Sequence, residues 1–350
     1  MALDMKELFD LVQDQKASDL LITAGAPPAV RVDGKFFRTK YDPLAPDDAK
    51  RLVYSILTDQ HRQIFEERKE LDLSLGVTKK HRFRVNVYMQ KGCVAAAFRP
   101  IPEDIPSLED LGLPQVVHDI SFRPQGLILV TGPTGHGKTT TQAAMIDLIN
   151  SNKECHIITV EDPVEYVHYH KRSIIDQREV GGDTHSFPNA LKYVLRQDPD
   201  VILIGEMRDL ETIACALTAA ETGHLVIATL HTNDAVQTVD RVVDVFPPHQ
   251  QQQIRFQMAM CLLAIVSQRL LPRADIQGRV LAVEILRHNS AVANLVREAK
   301  THQIYSVIET HAKDGMVTLD TSIKDLYLRG LVSYEDAVPH VKSPQMLMAG

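Results

Sequence analysis

A chain of 350 residues, 44% hydrophobic and 24% charged, holds enough apolar side chain for a buried core and suggests two domains at roughly 100–200 residues each. The formal charge of −7 excludes a histone-like polycation, and four cysteines without a Cys-x-x-Cys exclude a zinc ribbon, a thioredoxin-type motif and a disulfide framework. No run of 18 apolar residues is present, and the opening MALDMKELFDLVQDQ lacks the apolar stretch of a signal peptide, so a cytosolic globular enzyme is expected.

Residues 6–13 carry a helical stripe of Leu8, Leu11 and Val12, and 19–23 form a short apolar run. The span 30–39 sets Asp33-Gly34 between two extended pieces, a hairpin signal. Helical stretches at 46–57 and 59–69 precede strands predicted at 71–77 and 81–89. In the second of these, Phe83, Val85 and Val87 alternate with Arg82, Arg84 and Asn86, which predicts one buried face and one that presents arginines. Pro100, Pro102, Pro106, Pro114 and Pro124 then break any long element and mark a linker. Beyond it, strands at 127–131, 156–161, 200–205 and 224–229 alternate with helices at 138–149, 187–197, 210–221 and 234–243. Runs such as 201–204 are apolar without alternation, the pattern of a parallel sheet covered on both faces. Residues 250–340 read as mainly helical, with one strand-like run at 280–286.

The strand at 127–131 leads into Gly132, Pro133, Thr134, Gly135, His136, Gly137, Lys138, Thr139 and Thr140, and then a helix. This is G-x-x-x-x-G-K-[ST] in its strand–loop–helix setting. Glycines let backbone amides wrap phosphates, and the helix N-terminus adds its positive dipole end. Lys138 is expected to reach the β- and γ-phosphates and the Thr139 hydroxyl to ligate Mg2+, so the chain is expected to bind ATP. An acid is still needed to hold the metal or order the attacking water. Glu206, after the run 201–204, and Glu161, at the end of 157–160, both stand at carboxyl ends of strands, where ligands of open α/β sheets bind. Glu206 is the candidate metal holder alongside Thr139. Glu161 also reads as a turn carboxylate before Pro163. His224 and His231 flank one strand; sensing of the γ-phosphate is the functional reading and a structural histidine the plain one. Arg196 and Arg208 flank the strand before Glu206 and are candidates for phosphate or inter-subunit contact.

Four segments, 132–139, 157–165, 198–209 and 222–231, resemble in order the Walker A motif, Asp box, atypical Walker B motif and His box of the secretion-type ATPases. Within that superfamily the chain is similar to the type IV pilus retraction ATPases, through Arg82-Phe-Arg-Val-Asn86 and through 291–298, although Ala293 stands where that element usually has arginine. By composition alone 291–298 is an amphipathic helix with a packing role. The resemblance implies an α/β fold: a RecA-like P-loop ATPase core with flanking helices, preceded by a small PAS-like α+β domain. It implies a PAS-like domain over 1–98, a linker over 99–120 and a RecA-like ATPase domain with a C-terminal helical region over 121–350. It also implies that Arg84 and Arg99 reach the nucleotide from the N-terminal domain; a solvated strand face is the alternative. A homohexamer is implied, working with an inner-membrane platform protein and in some systems with a paralogous retraction ATPase. The location is then cytoplasmic, peripheral to the inner membrane through a partner and without direct insertion. Rival loads are pilus extension, type II secretion and DNA uptake, although the extension and secretion motors typically carry paired Cys-x-x-Cys motifs. A RecA-like nucleic-acid translocase is a further rival, against which stand the acidic charge and the absence of Trp; no nucleic-acid partner is expected.

Overall fold

The computed structural model describes residues 3–32, 34–76, 82–101, 104–342 and 344–348; Asp33, Val77, His81 and Pro102 of the sequence reading lie outside them. The chain divides into two compact units, Met1–Asp104 and Ile105–Gly350.

In the first unit, α1 (Met5–Asp14) starts at Asp4, whose carboxylate accepts the Glu7 amide at 2.9 Å and satisfies one free amide of the first turn. Its stripe of Met5, Leu8, Phe9 and Val12 is buried, and Phe9 stacks on Phe83 with ring centroids 4.4 Å apart. The strands are β1 (Asp19–Ile22), β2 (Ala29–Val32), β3 (Lys35–Arg38), β4 (Glu70–Gly76), β5 (Arg82–Gln90) and β6 (Cys93–Ile101), with α2 (Pro46–Tyr54) and α3 (Asp59–Arg68) between β3 and β4. They form one antiparallel sheet in the order β3-β2-β1-β6-β5-β4. In β5 the buried residues are Phe83, Val85 and Val87, as the alternation predicts. The sequence reading has no counterpart to β6. Alanines at 95–97 and Pro100 are weak strand formers; β6 exists because β1 and β5 pair with both of its edges. It sets Arg99 directly across from Arg84.

The second unit begins with α4 (Gln115–Ser121) and continues β7 (Gly126–Thr131), α5 (Lys138–Asn152), β8 (His156–Glu161), β9 (Ile174–Glu179), α6 (Phe187–Val194), β10 (Val201–Ile204), α7 (Leu210–Glu221), β11 (Leu225–Leu230), α8 (Ala235–Asp244) and α9 (Pro248–Cys261). After these come β12 (Leu262–Pro272), β13 (Arg279–Arg287), α10 (Ser290–Arg297), α11 (Ile304–Thr310), α12 (Leu319–Leu328), α13 (Tyr334–Ala337) and α14 (Gln345–Met348). The sheet order is β13-β12-β7-β11-β10-β8-β9, parallel except for β13. With β7 between β12 and β11, this is the RecA-like arrangement. β7, β10 and β11 are buried at every position, which is why their sequences do not alternate. The region after 250 differs from the reading: β12 follows α9 with no intervening loop, so no glycine or proline signals where the helical pattern stops.

Parallel pairing has one consequence for function. The carboxyl ends of β7, β8, β10 and β11 open on the same edge of the sheet, so the P-loop, Glu161, Glu206 and His231 are brought to that edge together.

Candidate nucleotide site

Three glycines shape the loop between β7 and α5. Gly132, at φ +139°, lies against β12, where a Cβ would come within 2.4 Å of the Gln268 carbonyl oxygen. Gly135 and Gly137 adopt left-handed conformations at φ +79° and +82°, the second immediately before α5 begins at Lys138. Lys138 is 8% exposed, and its Nζ donates to the carbonyl oxygens of Gly132 at 2.9 Å and Pro133 at 3.0 Å. No carboxylate lies within ion-pair distance of it among the described residues. Burial weakens its hold on its proton, while the charges of Glu206 and Glu165 act in the opposite direction. A buried ammonium whose partners are two carbonyls of its own loop and the His231 ring at 3.4 Å suits an anionic ligand. Thr134 approaches the His231 ring at 3.4 Å.

The remaining loop side chains are held by protein. His136 Nδ1 accepts the Leu270 amide of β12 at 2.9 Å, and Arg279 Nη1 donates to the Gly135 carbonyl at 3.0 Å. Burial, together with the charges of Arg269 and Arg279, lowers the proton affinity of His136, which favours the neutral ring this bond requires. Thr140 pairs with the Tyr166 hydroxyl at 3.0 Å, and Thr141 accepts from Gln268 at 2.7 Å.

The two acids sit in different surroundings. Glu161 is buried; its Oε1 accepts from the Thr159 hydroxyl at 2.7 Å and the Gln177 amide at 3.2 Å. Burial outweighs those bonds and pushes its carboxyl up to about 7. Gly205, adjoining Glu161 from the neighbouring strand, has room for no easy side chain: a Cβ there would meet the Glu161 Cα at 3.3 Å. Glu206 is less enclosed. Burial raises its proton affinity, but the Arg208 hydrogen bond at 2.7 Å and the His231 ring at 3.0 Å more than offset that and hold its carboxyl below the ordinary value. At neutral pH one carboxylate is thus fixed as an anion while the other is poised to exchange its proton.

A stability consequence follows for Glu161. The folded chain keeps its proton up to about 7 whereas the free side chain releases it near 4.5, so rising pH charges the unfolded state first and stability falls across that interval. The expected loss is roughly 3 kcal/mol between pH 4.5 and 7. In Glu161→Gln this portion of the pH dependence should vanish, measured by calorimetric melting from pH 5 to 8; an unchanged slope would mean that Glu161 is not the group responsible.

Two residues expected at the phosphates are elsewhere. β11 pairs with β7 from Leu225 opposite Gly126 to Leu230 opposite Thr131, so His224 and His231 stand at opposite edges of the sheet, about 20 Å apart at a strand's rise per residue. His224 Nδ1 contacts the Ala219 carbonyl at 2.9 Å at the end of α7, a helix-end role. Arg196 is also on the amino-end side, exposed after α6 and 5.9 Å from the Tyr193 ring. Arg208 is on the P-loop edge, bound to Glu206. In the first unit Arg99 grips Asp19 through Nε at 3.1 Å and Nη2 at 2.9 Å, and Arg84 is exposed beside it across the β5–β6 pair. The sequence reading does not single out Glu165, Gln177, Gln268 or Arg279. Glu165 was visible inside an acidic motif; the others had no local signal, because each reaches the site from a different strand.

No group of three or more His, Cys, Asp or Glu among the described residues could hold a metal alone. A nucleotide-borne Mg2+ needs only one or two protein ligands, which the Thr139 hydroxyl can meet. Both Glu206 oxygens are already engaged, so direct ligation by Glu206 would displace Arg208 or His231. Among the described residues no helix is long and apolar enough to cross a membrane.

The sequence profile for "Type II/IV secretion system protein" matches residues 5–338. The chain is 48% identical over 343 residues to the type IV pilus retraction ATPase PilT of Pseudomonas aeruginosa, covering 98% of this chain and 99% of that one. It is 48% identical over 310 residues to the twitching motility protein of Neisseria gonorrhoeae, covering 89% and 83%. A crystal structure of the pilus retraction motor PilT with bound ADP matches it with a TM-score of 0.93 and 50% identity, covering 99% of this chain and 100% of that one.

Proposed function

From the chain's membership of the Type II/IV secretion system protein family, we propose that it is an ATP-hydrolysing motor that drives type IV pilus retraction. The observation that carries this reading is the 48% identity over 98% of the chain to a retraction ATPase, which takes in both compact units as well as the P-loop.

In this reading ATP is the substrate. The amides of 135–139 and the Lys138 ammonium hold its phosphates, and the Thr139 hydroxyl would hold a nucleotide-borne Mg2+, which would supply further positive charge there. Glu206, kept anionic by Arg208 and His231, orients the attacking water and draws its proton. Glu161 serves as the proton-exchanging second acid, and His231, shared between Thr134 and Glu206, registers whether the terminal phosphate is present. Arg84 and Arg99, assigned to the nucleotide by the family resemblance, would supply further positive charge to the phosphates. The chain works as a homohexamer in the cytoplasm, against an inner-membrane platform protein.

α10 connects hydrolysis to the load. Val292, Ala293 and Val296 are buried in the core of the second unit, so the packing reading holds for that face; Asn294 is exposed and bonded to Arg297. Ala293 occupies a core position, which leaves Asn294 and Arg297 as the outward polar pair. The test is complementation of a gene deletion. The deletion is expected to leave cells hyperpiliated and unable to retract. The Asn294→Ala/Arg297→Glu variant should keep its ATP turnover within about twofold, since it touches no phosphate-edge residue, yet fail to restore retraction. Normal retraction in the deletion strain would overturn the function; an equal loss of turnover and retraction in the variant would remove α10 from the output.

A further inference from the structure

The sheet of the N-terminal unit ends in β3, a strand exposed along its whole length and paired only with β2. Phe36 and Phe37 are 49% and 50% exposed, and as neighbours on a strand they point to opposite faces of it. Phe37 lies opposite Val30, and Phe36 lies opposite Arg31, whose guanidinium sits 3.8 Å above the Phe36 ring. Lys35, Arg38 and Lys40 are exposed, and among the described residues none of them has an acidic partner. In a chain of charge −7, the span 31–40 holds four basic side chains and one acid.

We propose that this strand edge binds an anionic lipid surface, with Phe36 and Phe37 seated at the boundary between headgroups and acyl chains and Lys35, Arg38 and Lys40 on the lipid phosphates. Two rings on opposite faces of one strand are covered together only by a medium that closes around the edge; a flat protein surface would cover one of them. The interfacial zone of a bilayer is such a medium, and aromatic side chains partition into it. Long basic side chains at both ends of the pair extend back to the headgroups, and the negative cytoplasmic leaflet attracts them. A hairpin this short lies in the interface and does not span it. One copy binds weakly and reversibly, and several copies in a ring would multiply that affinity. The proposal does not depend on the nucleotide assignment.

The experiment is cosedimentation of the full-length protein with mixed phosphatidylglycerol–phosphatidylcholine vesicles and with pure phosphatidylcholine vesicles. Binding to the first and not the second is expected, falling steeply with added salt. Phe36→Ser/Phe37→Ser and Lys35→Glu/Arg38→Glu should each weaken it about tenfold or more. Circular dichroism reports that the variants are folded, and ATP turnover in solution should match that of the unaltered chain. Failure of the unaltered chain to bind phosphatidylglycerol at low salt would overturn the proposal. So would a phenylalanine variant that changes the assembly state on gel filtration while still binding vesicles, because the edge would then be a contact between copies. No ATP turnover by the unaltered chain, with its vesicle binding intact, would count against the ATPase reading alone.

Discussion

Lys138→Ala should lose nucleotide binding at concentrations that saturate the unaltered chain, and ATP turnover should fall by about a thousandfold or more. The size of the effect follows from the surroundings of the ammonium. It is buried, its contacts are two carbonyl oxygens of its own loop and the His231 ring at 3.4 Å, and the opposing charges that act on it, Glu206 and Glu165, sit beyond ion-pair range. Truncation removes the loop's one ammonium from a site that keeps both acids, so a triphosphate there loses its closest positive charge. The fold should survive, because the glycines of the loop and the anchors from β12 and β13 set its course independently of the lysine. Isothermal titration with ADP and with a non-hydrolysable ATP analogue checks the claim. An affinity near that of the unaltered chain would show that phosphate is not bound here.

The second large effect is kinetic. Glu206→Gln should bind nucleotide within about threefold of the unaltered chain while turnover falls by roughly a hundred- to a thousandfold. Glutamine keeps the shape and a partner for Arg208, whose side chain is 72% exposed, so the structural cost is that of a surface ion pair, about 1 kcal/mol or less. What the variant lacks is the negative charge that Arg208 and His231 maintain at neutral pH. A joint measurement of affinity and single-turnover rate separates the two roles. Unchanged turnover would transfer the water-activating role to Glu161, and a large loss of affinity would make Glu206 a binding group.

The contrast between what the sequence discloses and what it conceals has physical causes. The P-loop is legible because its chemistry is local: glycines, lysine and threonine at fixed spacing within one turn of chain. Glu161 and Glu206 are legible because unbroken apolar runs identify parallel strands, and parallel strands align their carboxyl ends. That same rule could have excluded His224. Two residues bracketing a strand of six must lie at opposite edges of the sheet, so both cannot face one phosphate. β6 was hidden by its alanines, because its strand character comes from β1 and β5 rather than from its own side chains. β12 was hidden by continuity with α9. The raised proton affinity of Glu161 had no signature at all, since it comes from burial in the folded sheet, which outweighs the hydrogen bonds from Thr159 and Gln177.

The anchoring of the phosphate loop bears on how such a machine would feel its load. Gly132 rests on Gln268, His136 is tied to Leu270, and Gly135 is tied to Arg279, so one wall of the loop is the hairpin of β12 and β13. β13 ends at Arg287, three residues before α10 begins. In the proposed motor a tug on α10 would be delivered along a paired strand, which stretches little, to the loop proposed to hold the phosphates. By thermodynamic reciprocity, whatever tension does to nucleotide affinity, nucleotide does to the tension the strand can sustain. A stalled motor of this build would hold or release its fuel according to the strain on it.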